Sequence, residues 1–180
     1  MGEGERAGMS ARYLTPPVPG AGDAWGAEAA AEGRRGTQLI VCAGEVAAPD
    51  RVADLLGMER GGRVVERRRI MYLDDIPCEL TDTYYPLAIA AGTELSGTAK
   101  IRGGAVRLLA DLGHVGVRAE EQVVARMPSG TEQAALALDA CVPVLELTRR
   151  TLNADDRPIQ ADVMVMSPRG QKLRYEIGIG

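Results

Sequence analysis

The sequence predicts an α+β fold: one antiparallel β-sheet flanked by short helices, with an internal pseudo-repeat. Three observations predict it. The chain repeats itself, reading VVERRRIMYLDDIPCEL around Pro77 and VLELTRRTLNADDRPIQA around Pro158, 81 positions later. On that offset Arg68 and Arg69 fall on Arg149 and Arg150, Asp74 and Asp75 on Asp155 and Asp156, and Glu79 on Gln160; upstream, ADLLG from Ala53 lies over AALALD from Ala134. The strand-like runs come in pairs joined by short acidic turns, which is the signature of hairpins and so of antiparallel pairing. The helical stretches are short and end at glycine. Two related halves packed together leave a cleft between them as a natural pocket.

The elements follow in order. Residues 1–36 are rich in Gly, Ala, Pro and Glu and read as an N-terminal arm or linker; 37–180 form the folded domain. TPPVPG cannot lie inside a helix, whereas AWGAEAAAEGRRG can make a short one that ends near Gly33 or Gly36, and Tyr13 and Trp25 could pin the arm to the body. QLIVCAGEV is strand-like. PDRVADLLG is a helix with Pro49 at its first position and Gly57 as its stop. Arg63 to Leu73, the Asp74-Asp75 turn and Pro77 to Tyr85 form the first hairpin. Pro86 to Gly103 is an irregular excursion, Ala105 to Leu112 a short helix, and Val115 to Arg126 a strand. Ser129 and Glu132 make a capping box before the next helix. Val142 to Leu152, a turn at Asp155-Asp156, and Ile159 to Met166 form the second hairpin, and Leu173 to Ile179 a last strand.

Composition narrows the function. The chain has 180 residues, 46% of them apolar, enough for one domain with its own core. Phe is absent, so that core must come from Val, Leu, Ile, Ala and Met. The net charge of −4 argues against a nucleic-acid surface on this chain. Cys42, Cys78 and Cys141 lie far apart in apolar runs with no zinc-ligand spacing, and read as buried reduced thiols, which fits the cytoplasm. The start MGEGERAGMSARY lacks the apolar core of a signal peptide, and no apolar run approaches the ~18 residues that would cross a membrane. No cofactor and no metal are expected.

Few groups offer catalysis. His114, the only histidine, follows Gly113 at a helix end and has no nucleophile motif beside it. The two Asp pairs read as turn chemistry. Gly103-Gly104 before a helix is either a tight turn or an anion cradle of backbone N–H groups. Arg67 and Arg69 share one strand face and Arg68 the other, and an arginine on the inner face needs an anionic partner, internal or from a ligand. Gln160, Asp162, Met164 and Met166 share a face too, as a pocket wall for an amphiphilic molecule or as an edge strand with its polar end in solvent.

From about Arg51 onward, RVADLLGMERGGRVVERRRIMYLDDIPCELTDTYYP, GGAVRLLADLGH, EEQVVARMPSGTEQAALAL, PVLELTRRTLNADDRPIQADVMVM and LRYEI follow one another in an order that resembles the UTRA domain. This is the effector-binding domain of HutC-type GntR-family transcription regulators. The segment RYLTPPVPGAGDAW is similar to the stretch that leads into this domain in actinobacterial members. The resemblance implies a chorismate-lyase-like fold, a small-molecule effector in the sheet cleft and a homodimer. DNA would be reached only through a winged-helix domain absent from this chain. It also implies ligand-binding positions at Arg69, Met71, Gly104, Gln160 and Met166, to which the shared strand face adds Asp162. Sugar-phosphate sensors of the family carry a second arginine where Met71 stands, a serine near Gly104, an acidic residue at Gln160 and a tyrosine near Met166. The departures predict a less charged, more apolar effector, and predict that Asp at Met71 and Met166 abolishes binding without unfolding the domain. The competing expectations are a lyase or cyclase on the same fold, and a headless partner that dimerises with full-length relatives.

Overall fold

The acidic turns close two hairpins that lie side by side at the centre of the molecule. The computed structural model describes residues 11–16, 24–169 and 173. Among these residues six strands form one sheet: β1 (Gly36–Ala47), β2 (Arg63–Leu73), β3 (Ile76–Pro86), β4 (Arg118–Arg126), β5 (Val144–Leu152) and β6 (Pro158–Met166). Their order is β1-β2-β3-β6-β5-β4, and every neighbouring pair is antiparallel. The helices described are α1 (Ala11–Leu14), α2 (Ala24–Ala31), α3 (Asp50–Leu56), α4 (Leu87–Ala90), α5 (Gly104–Asp111) and α6 (Gly130–Ala135), with a 3-10 turn at Glu94–Ser96. The four-residue α4 and the 3-10 turn lie inside the segment read as irregular. Apart from Leu173, the strand expected at the C-terminus lies outside the described residues.

The duplication becomes a pseudo-two-fold axis between β3 and β6. Asp82 pairs with Val163, 81 positions away, and Thr81↔Met164 and Thr83↔Asp162 flank it symmetrically. The neighbouring strands slip by one. Arg69 faces Thr81 and Arg149 faces Asp162, so the counterpart of Arg69 is Arg149, and the alignment of Arg68 with Arg149 is corrected. The first loop holds only Asp74 and Asp75, both at positive φ (52° and 65°), as a two-residue I′ hairpin requires. The second loop spans Asn153 to Arg157, and the Asn153 carboxamide oxygen accepts from the N–H groups of Asp155 (3.1 Å) and Arg157 (2.9 Å). The longer loop absorbs the slip and keeps both arginines on one face, since a shift of one residue exchanges faces.

One face of the sheet meets α3 and α6. Val52, Ala53 and Leu56 of α3 bury against Val64, Tyr84 and Ala161, while Leu136 and Leu138, at and just beyond the α6 C-terminus, cover Val144 and Val165. Each buried valine or leucine among them contributes roughly 1.5–3 kcal/mol. The opposite face, called here the cleft face, meets α4, the 3-10 turn and α5. There Val65 and Tyr85 pack under Ala90, Leu95, Ile101 and Leu109. Tyr84 and Tyr85 are buried and thus do part of the work expected of aliphatic residues alone. Of the three free thiols only Cys78 is buried; Cys42 is half-buried, and Cys141, in the turn before β5, is exposed. That corrects the expectation for two of the three.

Pro49 precedes α3 as its N-cap and is not its first helical residue. The paired helices α3 and α6 end alike. Met58 N–H bonds to Ala53 O (3.0 Å) and Gly57 N–H to Asp54 O (3.3 Å); after α6, Leu138 N–H bonds to Gln133 O (3.0 Å) and Ala137 N–H to Ala134 O (3.2 Å). The left-handed position is glycine in the first case, but in the second it is Ala137 at φ 49°. Ala137→Gly is therefore expected to stabilise the domain by about 0.5–1 kcal/mol, read as a higher urea midpoint at unchanged slope; a lower midpoint would show that the strain is relieved elsewhere. The α6 start is the expected Ser129–Glu132 capping box. Arg126 bonds the Glu132 carboxylate, holding its pKa at about 2, and also bridges to Glu146, which in turn meets Arg51 of α3.

Candidate functional site

Alternation along the four central strands sends a row of polar side chains to the cleft face. Across the sheet, Arg67, Thr83, Asp162, Arg149 and Glu121 stand in one register row, and Arg69, Thr81, Met164 and Leu147 in the next. Burying this many polar groups is tolerable only if they satisfy one another. Most of them do. Arg149 Nε donates to Glu121 Oε1 at 2.6 Å. Thr83 donates to Asp162 Oδ1 at 2.8 Å, and the Gln160 amide donates to both Asp162 oxygens at 3.0 and 2.8 Å. Arg69 reaches Thr83 Oγ1 at 3.2 Å and Gln38 Oε1 at 3.4 Å. A polar chain thus runs diagonally over the face, from Gln38 through Arg69, Thr83 and Asp162 to Gln160. Thr151 pairs with Gln160 in the register and extends the line.

The two ends of this diagonal are incomplete. Among the described residues, Arg69 Nε and Thr151 Oγ1 are the buried side-chain polar atoms that lack a hydrogen-bond partner. Each such atom costs about 1–3 kcal/mol until something meets it. At the Arg69 end, Gln38 lines an open groove of about 300 Å³ along β1. At the Thr151 end a cavity of about 10 Å³, the size of one water, lies among Thr151, Gln160, His114, Leu109, Leu14 and Pro16.

The arginines divide by role. Arg67, 4% exposed, donates to the carbonyls of Glu94 (3.2 Å), Leu95 (3.3 Å), Ala99 (3.2 Å) and Gly97. The expected anion is replaced by four carbonyl dipoles, which tie down the excursion that roofs the cleft. Burial, with the Arg69 charge nearby, pulls the Arg67 pKa below the usual arginine value. Arg68 points to the other face and is held by Asp82 (2.9 Å) and Glu66 (3.1 Å).

The positions singled out in the sequence are placed as follows. Arg69, Gln160 and Asp162 are joined in the polar diagonal. Met166 and Met71 flank Glu79 in the register row beyond Arg69, with Met166 packing against Leu147 and Met164, and Met71 against Leu73, Cys78 and Ala29. Both methionines are almost fully buried, at 4% and 6% exposure. Burial this deep would strand a carboxylate in the core, so Met71→Asp and Met166→Asp are now expected to destabilise the domain as well as the site. Gly104 opens α5, where its N–H is taken by Ile101 O at 3.0 Å, and no hydrogen bond connects it to the diagonal. The edge-strand alternative for Gln160 and Asp162 fails, because β6 is flanked by β3 and β5. His114 closes the end of α5 with its N–H on Leu109 O and lines the small cavity. Sequence reasoning missed Thr83, Thr151, Gln38 and Arg149. The parity of Thr83 with Thr81 and Tyr85 was a usable signal, whereas Arg149 was hidden by the slip in the repeat.

Residues 31–169 match the family model of the UTRA domain, well over half of the chain. The chain belongs to the UTRA domain family. Its fold is shared with solved effector domains. The effector domain of PhnF from Mycobacterium smegmatis superposes with a TM-score of 0.74 at 20% identity, covering 86% of this chain and 94% of that one. PhnF itself gives 0.74 at 20% identity over 90% of this chain and 71% of that one. The C-terminal domain of the histidine utilization repressor from Pseudomonas syringae pv. tomato gives 0.66 at 24% identity, covering 81% of this chain and all of that one. No curated protein matches by sequence. The UTRA domain described here therefore has the chorismate-lyase-like α+β fold and is a ligand-binding regulatory domain. No helix among its described residues is long and apolar enough to cross a membrane.

Proposed function

We propose that the cleft face of this UTRA domain binds a small amphiphilic effector and that the domain works as the sensing half of a homodimeric GntR-type transcription regulator. The observation that carries the effector site is the polar diagonal with an unmet donor at Arg69 Nε. Its neighbours are apolar and soft: Met164 stands in the same row, and Met71 and Met166 in the next. An effector with an apolar body and one hydrogen-bond acceptor suits such a face. A ligand that prefers one of two arrangements of the dimer shifts their balance, and so the DNA affinity of winged-helix domains attached to it. The edge strand β4 supports the dimer, since Val123 and Val124 are exposed on it and no strand among the described residues pairs with its outer edge.

Native mass spectrometry of protein purified from its own host tests this. The expected spectrum shows a dimer retaining a discrete small molecule, and Arg69→Met, close in length and without the donor, should lose that molecule while keeping the dimer. Retention of the same molecule by Arg69→Met would move the site away from the diagonal. A monomer at micromolar concentration would sink the dimer.

A further inference from the structure

Two described stretches of the N-terminal arm, 11–16 and 24–35, meet the sheet at opposite ends of the polar diagonal. At one end α2 is docked by Trp25 Nε1–H, which donates to Tyr72 O at 3.0 Å, and by Ala29 packed on Met71, Leu73 and Cys78. The turn into β1 is clamped there as well: Arg34 meets Asp74 at 2.7 Å, Arg35 N–H donates to Asp74 Oδ1 at 2.8 Å, and Arg35 pairs with Asp75. Gly36 leaves room for this close approach, since a Cβ there would come within 2.9 Å of Ala29 Cβ and Trp25 Nε1. At the other end Leu14 and Pro16 close the cavity over Thr151 and Gln160. Between the ends Tyr13 donates to Glu28 of α2 and lies close enough to Glu79 and Arg149 to feel both charges; burial first, then Glu28, pushes its phenol pKa well above 10.

The cover is a poor chemical match for what it covers. Leu14 and Pro16 offer no side-chain hydrogen bond, yet they sit on a buried hydroxyl that lacks a partner. Residues that packed only for stability would be expected to meet that hydroxyl or replace it. A stand-in that must leave has no such requirement.

We propose that Tyr13–Pro16 is an intramolecular occupant of the effector cleft, which the effector displaces. The inference rests on the cleft being the effector site. It narrows the effector class to molecules that mimic this segment: an aryl or branched alkyl body with a polar group for the Thr151–Gln160 end and an acceptor for Arg69. It also makes the position of the chain upstream of α2 depend on whether the cleft is filled. Because the competitor is tethered, its effective concentration reaches the millimolar range, so a weak contact is enough to suppress binding.

The test uses the full chain and 8-anilinonaphthalene-1-sulfonate, an aryl anion of the required class. Tyr13→Ser/Leu14→Ser is expected to bind the dye at 1:1 at least ten-fold more tightly than wild type, and adding Arg69→Met should reverse the gain. Glu28→Gln, which weakens only the Tyr13 clamp, should give a smaller gain of the same kind and serves if the double variant melts without cooperativity. Equal dye affinity in wild type and both arm variants overturns the proposal. A gain that survives Arg69→Met also overturns it, since the dye then marks apolar surface outside the cleft. Loss of the host ligand from Arg69→Met, read by native mass spectrometry, stands or falls separately, so failure of the arm and failure of the effector site are distinguishable.

Discussion

Replacing Asp162 with Ala is expected to lower stability by about 2–4 kcal/mol and to abolish retention of the host ligand. Asp162 is 2% exposed and accepts from Thr83 and twice from Gln160. Its removal strands both donors and takes a negative charge out of the register row that also holds Arg67 and Arg149. The amide variant separates shape from charge. In Asp162→Asn the oxygen still accepts from Thr83, and Gln160 can turn its own carbonyl toward the new N–H₂ group. Its cost should be near 1 kcal/mol, with ligand retained weakly. Urea unfolding measures the first quantity and native mass spectrometry the second. If Asp162→Ala is as stable as wild type, the diagonal is not a coupled network.

Arg67→Met is expected to cost about 3 kcal/mol, near 1 kcal/mol for each of several carbonyls left without a donor. The effect should be local as well as global. Arg67 holds Glu94, Leu95, Gly97 and Ala99, and Leu95 and Ile101 in turn pack on Val65 and Tyr85. Hydrogen exchange should therefore speed up first at residues 94–101, before the strands lose protection. Arg67→Lys keeps a charge but offers a compact ammonium in place of a planar fork, and cannot span four carbonyls; it should recover at most half of the loss. Unchanged exchange at residues 94–101 in Arg67→Met would show that the excursion is held by its apolar contacts alone.

Much of the fold was legible because its signals are local. Period-two alternation marked the four hairpin strands, the acidic pairs marked the turns, and Ser129 with Glu132 marked the start of α6; each depends on residues within a few positions of one another. The ordered set of segments pointed to the UTRA family for the same reason. Arg69, Gln160 and Asp162 could be named as site positions from face parity and resemblance together. Their connection through Thr83 could not, since it depends on which strands become neighbours.

What the sequence by itself determined was the hairpins, the helix caps, the duplicated unit and the face on which each strand residue stands. Only the tertiary structure decided what those faces meet. It paired Arg149 with Glu121, gave Arg67 four carbonyls in place of an anion, buried Met71 and Met166 too deeply for a charge, and set Leu14 and Trp25 of the arm against opposite ends of the cleft face. It also corrected the register of the repeat by one residue, which made Arg69 and Arg149 counterparts. The physical reason is common to all of these. Alternation and capping are set by backbone geometry over a few residues, whereas the partner of a buried polar group is set by strand order and loop length, and it lies tens of residues away in the chain.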